Sequence, residues 1–357
     1  MLAAARSRSR IAFTAVAALA SLALAACSGT TTNAPTGASA APAASSAAPA
    51  ADAFPVTIPT AHGDVTIQQK PQRVVTWGWS TQDAVLALGV VPVAMPTYAY
   101  GGDAQGILPW NAAKLKELGG TPPALLPSSD SGEVPIEEII EAKPDVILAP
   151  YSGLTKEEHD KLNKVAPTVS YPDKPWATSW QQQIEIVGKA LGLSAEATAL
   201  REKADAHIAK LGTDNPDLKG RSFVYGAVNA NDQFTIYRGS DPRVELLVQL
   251  GMTESPSVKE LDADPKAGSY FYSISYENVS KIKTDVLVMY FATQKDVDTF
   301  VADPVIAALP AVKEKRFAPI VGESFVMASS APTVLSIPWM LDQYVPQLAA
   351  VATKVGG

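Results

Sequence analysis

Aromatic residues recur just beyond the short apolar runs of this chain. Trp77 and Trp79 come first, then Tyr98 and Tyr100, Tyr151, and Trp176 with Trp180. The second half adds Tyr237, Tyr270 and Tyr272, Tyr290 with Phe291, and Phe325, with Asn229 and Asn231 following another apolar run. Tyr and Trp combine a broad apolar face with a hydrogen-bonding tip, which suits a bulky, partly polar organic ligand. An aromatic residue near a strand end also commonly packs inward, so about half of the set is expected to touch ligand. Arg238 lies between Tyr237 and Gly239-Ser240. Its guanidinium could pair with carboxylate or catecholate oxygens of an anionic chelate and stack on its rings; it also reads as a solvated turn residue.

Other chemistries have weaker support. His62, His159 and His207 are far apart in sequence and in unlike contexts, whereas a zinc or manganese site clusters histidines and carboxylates. No direct metal ligands and no protein-bound cofactor are expected; a metal would arrive wrapped in a chelator. Gly78-Trp79-Ser80-Thr81-Gln82 sits at a strand-to-helix junction, as the nucleophile of an exported serine hydrolase would. It lacks the second glycine of that motif and a histidine partner. Ser80 reads better as the N-cap of a helix from Thr81, and the chain as a non-enzyme.

Cys27 is the one cysteine, which excludes a disulfide within the chain and a cysteine-based zinc site. Arg6, Arg8 and Arg10 precede an apolar run from Ile11 to Ala26, shorter than the roughly 20 residues of a membrane span and fitting a signal peptide. The run ends in Leu24-Ala25-Ala26-Cys27, which resembles a bacterial lipobox, with Cys27 the lipidated mature N-terminus; an ordinary cleavage site is the alternative. Residues 1–26 are read as signal. Residues 27–53, rich in Ala, Ser, Thr and Pro with only Asp52 charged, are read as a flexible tether. The chain is thus expected to be exported and lipid-anchored to the outer face of the cell membrane. The formal charge of -7 loses three arginines with the signal and becomes -10, which argues against nucleic acid as a partner.

Roughly 300 residues remain from Phe54 onward, enough for two lobes. Strand-like runs fall at Arg73–Trp77, Val90–Met95, Asp145–Pro150, Thr168–Tyr171, Ser222–Val228, Asp285–Phe291 and Phe317–Val321. Helix-like segments between them, at Thr81–Leu88, Ile136–Ala142, Lys156–Val165 and Val244–Leu250, predict an α/β fold with parallel sheets. A weak duplication pairs residues 135–150 with 275–290 at an offset of 140 positions, matching Glu137 with Glu277, Lys143 with Lys283 and Asp145 with Asp285. In both halves an upstream helix ends in Leu-Gly, at Leu88-Gly89 and Leu250-Gly251. The expectation is two similar Rossmann-like lobes, 54–175 and 214–357, with bridging helices over 176–213 that act as a long rigid inter-lobe helix.

With these motifs in order, the chain from Phe54 onward resembles the ferric-siderophore and vitamin B12 class of ABC-transporter substrate-binding proteins. The matching residues are Pro71-Gln72-Arg73-Val74-Val75, Ala87 through Val93, Ile136-Glu137-Glu138-Ile139 leading to Lys143-Pro144-Asp145-Val146-Ile147, and Ile274-Ser275-Tyr276-Glu277 leading to Asp285-Val286-Leu287-Val288. Trp180 with Gly188-Lys189-Ala190-Leu191-Gly192 is similar to the start of the inter-lobe region. The resemblance implies a rigid two-lobed monomer that holds a ferric siderophore in its cleft and delivers it to an ABC permease. It also implies docking of Glu137 and Glu277 on arginines of the permease dimer; as first-turn helix residues both also suit the macrodipole. Haem, a corrinoid or another metal chelate would fit the same cleft.

Overall fold

A computed structural model describes residues 52–128, 133–228 and 233–355. Cys27, the tether before Asp52, Asn229 and Asn231 lie outside the described residues.

A short hairpin, β1 (Val56–Ile58) and β2 (Val65–Ile67), precedes the first lobe. There the chain alternates β3 (Val74–Thr76), α1 (Thr81–Ala87), β4 (Ala94–Pro96), α2 (Pro109–Leu118), β5 (Ala124–Leu126), α3 (Ile136–Glu141), β6 (Val146–Leu148), α4 (Lys156–Leu162) and β7 (Thr168–Val169). The sheet has the order β5-β4-β3-β6-β7 with every pair parallel. Its central strands are buried on both faces, so β3 and β6 are unbroken apolar or Thr runs.

Two helices follow, α5 (Trp180–Leu191) and α6 (Ser194–Asp214). The connection is two helices packed on each other about Gly192, which ends α5 in the left-handed region at φ 70°, and the longer of them, α6, runs for 21 residues. Ile184 and Val187 of α5 join the first lobe's core, and Ala204 and Ile208 of α6 the second's. Trp176, expected at a helix start, lies in a turn ahead of α5. The capping box of Ser179 and Gln182 sets the start of α5 instead.

The second lobe comprises β8 (Ser222–Val228), β9 (Phe234–Tyr237), α7 (Pro242–Gln249), β10 (Thr253–Glu254), α8 (Ser257–Glu260), β11 (Phe271–Ile274), β12 (Val286–Phe291), α9 (Gln294–Ala302), α10 (Pro304–Ala307), α11 (Pro310–Lys313), β13 (Phe317–Val321), α12 (Glu323–Ser330) and α13 (Ser336–Ala352). Its sheet runs β11-β9-β8-β12-β13, with β10 beside β8. Here the structure departs from the expected parallel sheet. β8 with β12, β12 with β13 and β10 with β8 are parallel, but β9 pairs antiparallel with both β8 and β11. The sheet is mixed because the chain after β8 doubles back at once along its neighbour, where a parallel crossover would need a dozen or more residues.

The duplication has a structural basis. β3 lies beside β6 as β8 lies beside β12. Asp145 accepts the backbone N–H groups of Gln72 and Arg73 at 2.7 and 2.8 Å, and Asp285 accepts that of Ser222 at 2.8 Å. Each aspartate satisfies donors at the start of the neighbouring strand that the sheet leaves open. Gly89 and Gly251, with φ of 80° and 95°, turn the chain out of α1 and α7.

Candidate ligand cleft

Loops of an α/β lobe gather at the carboxyl ends of its parallel strands. In the first lobe Trp79 follows β3, Tyr100 follows β4, Tyr151 follows β6, and Trp176 precedes α5. Trp176 is 44 % exposed, and its ring meets Trp79 and Tyr151 edge-on at 6.3 and 5.8 Å between centres. Its backbone is left-handed, with φ 57°. The indole lies against Gly153, where an added Cβ would stand 2.6 Å from the indole nitrogen; Gly153 makes the room in which the ring lies.

The second lobe answers with a phenol cluster. Tyr237, at the end of β9, stacks on Tyr270 at 6.4 Å and 12°, and its hydroxyl bonds that of Tyr290 at 3.0 Å. Tyr225 meets Tyr237 edge-on at 5.6 Å. The guanidinium of Arg243 sits 4.5 Å from the ring centre of Tyr237 and 6.0 Å from that of Tyr290. Its position follows from the local sequence Asp241-Pro242-Arg243. Asp241 caps α7 by accepting the Arg243 N–H at 2.8 Å, and Pro242 takes the first helical position. The Asp241 carboxylate also takes Nη1 of Arg243 at 2.8 Å, and Nε of Arg243 donates to Ser330 Oγ at 3.2 Å.

Burial dominates the electrostatics of both aromatic sets. Burial, modulated by Arg243, Asp241 and Tyr270 across the cleft, pushes the Tyr151 phenol up to about 12. Burial, then Glu323 and Tyr290, raises Tyr100. Burial likewise lifts Tyr237 and Tyr225 well above the ordinary phenol range. Burial opposes the charge on Arg243, yet Asp241 and the surrounding phenols hold its pKa above normal. At neutral pH the cleft therefore presents neutral hydroxyls, aromatic faces and one guanidinium with a paired carboxylate. Neutral phenols bind a chelate's oxygens as hydrogen-bond donors. A shallow crevice between α5 and α7, lined by Trp180, Gln183, Pro242 and Glu245, touches this set through Tyr151.

Of the residues singled out in the sequence, Trp79, Tyr100, Tyr151, Trp176, Tyr237 and Tyr290 come together here. Four others do not. Trp77 is 4 % exposed inside the first lobe's core. Tyr98 is 2 % exposed, and its hydroxyl accepts the Ser80 N–H at 2.9 Å and donates to Gln82 Oε1 at 3.0 Å. Tyr272 pairs with Ile236 on the sheet face opposite Tyr237 and donates to Val258 O at 2.6 Å. Phe325 packs on Trp339 at 4.7 Å. Arg238 is also a correction. All five of its donors are engaged, with both carboxylate oxygens of Asp262 and the carbonyls of Ser269, Phe271 and Asp264, leaving none for a ligand. Arg238 lies 5.3 Å from the ring centre of Tyr272 on the opposite sheet face, whereas the cation over the Tyr237 and Tyr290 rings is Arg243. Its signal was the Asp-Pro helix start just beyond an aromatic strand end.

Ser80 does not cap α1. It sits in the left-handed region at φ 57°, its Oγ buried without a hydrogen-bond partner. The histidines also differ from expectation, since His62 and His159 meet at 5.0 Å between ring centres. Among the described residues no group of three or more His, Cys, Asp or Glu could hold a metal ion, and no helix is long and apolar enough to cross a membrane. Glu137, in the first turn of α3, and Glu277, in the 3₁₀ turn Tyr276–Lys281, are both exposed.

The model of the family described as periplasmic binding protein matches residues 74–320, across both lobes. This chain belongs to that family. The ferric enterobactin-binding periplasmic protein FepB of Escherichia coli is 26 % identical over 286 residues, 76 % of this chain and 86 % of that one. Among solved structures, the iron-uptake protein PiaA of Streptococcus pneumoniae in complex with ferrichrome is 35 % identical, with a TM-score of 0.73 over 84 % of this chain and 99 % of that one. A periplasmic solute-binding protein of Mycobacterium smegmatis is 30 % identical, with a TM-score of 0.72 over 84 % of this chain and 99 % of that one. The family's members are binding proteins and not enzymes, which removes the hydrolase reading of Ser80.

Proposed function

We propose that this protein is the extracytoplasmic receptor of an iron importer. It captures a ferric siderophore between its lobes and delivers it to an ABC permease. The observation that carries this is a pair of aromatic sets, one in each lobe, Trp79, Tyr151 and Trp176 in the first and Tyr237, Tyr270 and Tyr290 around a charged Arg243 in the second, with Tyr151 on a crevice shared with α7. PiaA, with the same fold along nearly its whole length, is described with ferrichrome bound. The receptor acts as a monomer held to the membrane by a lipid on Cys27, with residues 28–52 as the tether. The anchor raises its concentration near the permease without adding contacts. Glu137 and Glu277 are the docking carboxylates.

Tryptophan fluorescence tests the cargo, because Trp79 and Trp176 lie in the cleft. A titration against ferric hydroxamate, catecholate and carboxylate chelates, haem and a corrinoid should show saturable quenching by at least one ferric siderophore. Quenching by haem or the corrinoid alone would replace the cargo, and no quenching by any of them would remove it.

A further inference from the structure

Asp83, on α1, is fully buried, and the ligand cleft makes no direct use of it. Its carboxylate accepts four hydrogen bonds from side chains of three chain segments. Trp110 Nε1 and Thr333 Oγ1 donate to one oxygen, each at 2.6 Å; Asn111 Nδ2 and Gln82 Nε2 donate to the other at 2.7 and 3.0 Å. Gln82 belongs to α1, Trp110 and Asn111 to α2, and Thr333 to the turn between α12 and α13, so the last bond joins the two lobes. No ionised side chain faces this carboxylate. Ser336 lies behind Thr333, and α5 brings Trp180 and Gln183 to the same junction. The titratable group in the network is Tyr98, reached through Gln82.

The network has a polarity. Every partner of Asp83 donates; the Thr333 hydroxyl already takes the N–H groups of Leu335 and Ser336 at 3.2 and 3.0 Å, and the Gln82 and Asn111 amides would offer an oxygen only by flipping. A proton on Asp83 therefore has no acceptor without rearrangement. A flip of the Gln82 amide supplies one, giving up its bond to Asn111 Oδ1 at 3.1 Å and turning its nitrogen toward the Tyr98 hydroxyl. That hydroxyl now accepts the Ser80 N–H at 2.9 Å and lies 3.4 Å from Gly78 O, the two residues that flank Trp79. The junction has slack, since Ser80 Oγ and Gln183 Oε1 are buried without hydrogen-bond partners and line a small cavity with Trp180 and Thr333.

We propose that Asp83 is a positioning residue for the ligand cleft. Its ionised carboxylate ties the lobes at Thr333 and, through Gln82 and Tyr98, orients the turn carrying Trp79, so that its protonation weakens ligand capture. The proposal rests on the siderophore-receptor reading for its ligand. Burial lifts Asp83 from 3.8 to about 6, against the pull of Thr333, Asn111, Trp110 and Gln82. Because the folded value is raised, the native state takes up this proton first and gains stability relative to the unfolded chain as pH falls from about 6 toward 3.8. The change is therefore a rearrangement of the folded protein.

The test records tryptophan fluorescence of the ligand-free protein from pH 7.5 down to about 5, then titrates ferrichrome at each pH. Wild type should show a ligand-free transition centred near 6, with ferrichrome affinity falling below it by at most about tenfold per pH unit, the limit for one proton. Thr333→Val removes a donor that favours the ionised form, so its midpoint should move upward. Asp83→Asn should abolish the transition and bind ferrichrome weakly at every pH. A folded Thr333→Val or Asp83→Asn protein with the wild-type profile overturns the proposal. If ferrichrome binds at no pH but the ligand-free transition follows Asp83 and Thr333, the positioning role stands and the ferrichrome reading alone fails.

Discussion

Arg238 and Arg243 stand five positions apart at the same end of the second lobe, and only their partners separate their roles. Arg238 closes a loop on Asp262, whose side chain is 5 % exposed, and on three carbonyls. Arg238→Ala is expected to leave ligand affinity within about threefold of wild type and to lower stability by about 1–2 kcal/mol, between the values of an exposed and a fully buried ion pair. Arg243→Ala removes the guanidinium from the rings of Tyr237 and Tyr290 and leaves Asp241 buried without its cation. Chelate affinity should fall at least about tenfold, or about 1.4 kcal/mol, and Arg243→Lys should recover only part of it, because an ammonium lacks the planar fork. Isothermal titration beside a melting curve separates the two arginines; an affinity loss confined to Arg238→Ala would reverse the assignment. The sequence shows an arginine beside an aromatic strand end in both places. It does not show that Asp262, more than twenty residues on, folds back to occupy one of them.

Among the elements, what could be read early was what repeats locally. The strands Ser222–Val228 and Phe317–Val321 have the bounds their β-branched runs suggested. The offset between Asp145 and Asp285 reflects one task performed twice. The antiparallel detour through β9 and β11 was hidden because a four-residue strand carries no mark of direction, and its register is set by the partner. Tyr272 was misplaced for a related reason, since alternation along β11 sends its ring to the face opposite Tyr237. Trp77 and Tyr98 fall just past β3 and β4, where the following turn and not the strand decides which rings are buried. Ser80 fails as a cap because its left-handed backbone places the hydroxyl away from the first free N–H groups of α1. Trp176 depends on a neighbouring element for its position, which gives an element-scale prediction. Gly153→Val fills the space under the indole, within 2.6 Å of its nitrogen at Cβ alone. It should redden Trp176 emission and weaken chelate binding severalfold while the far-ultraviolet circular dichroism stays unchanged. Wild-type affinity would mean that Trp176 stands outside the site.

For the whole molecule, the two sheets give a reason for the Glu137 and Glu277 pair that the residues alone do not. A helix that carries the chain between parallel strands starts at their carboxyl edge, where the ligand loops also gather. α3 begins after β5, which is parallel to β4. The 3₁₀ turn begins after β11, which two antiparallel pairings make parallel to β8 and β12. Glu137 and Glu277 therefore both stand at the carboxyl edges of their sheets' strands, one in each lobe. Two matched carboxylates there suit a two-fold symmetric basic partner, and complementary charge would set orientation and on-rate. Glu137→Arg combined with Glu277→Arg should abolish chelate uptake in cells while the purified protein keeps wild-type affinity, and each single reversal should give a partial loss. Salt dependence supplies a further check, since docking of the wild-type protein on permease vesicles should weaken with salt and that of the double variant should not. Wild-type uptake by the double variant would show that both glutamates serve only their helix turns.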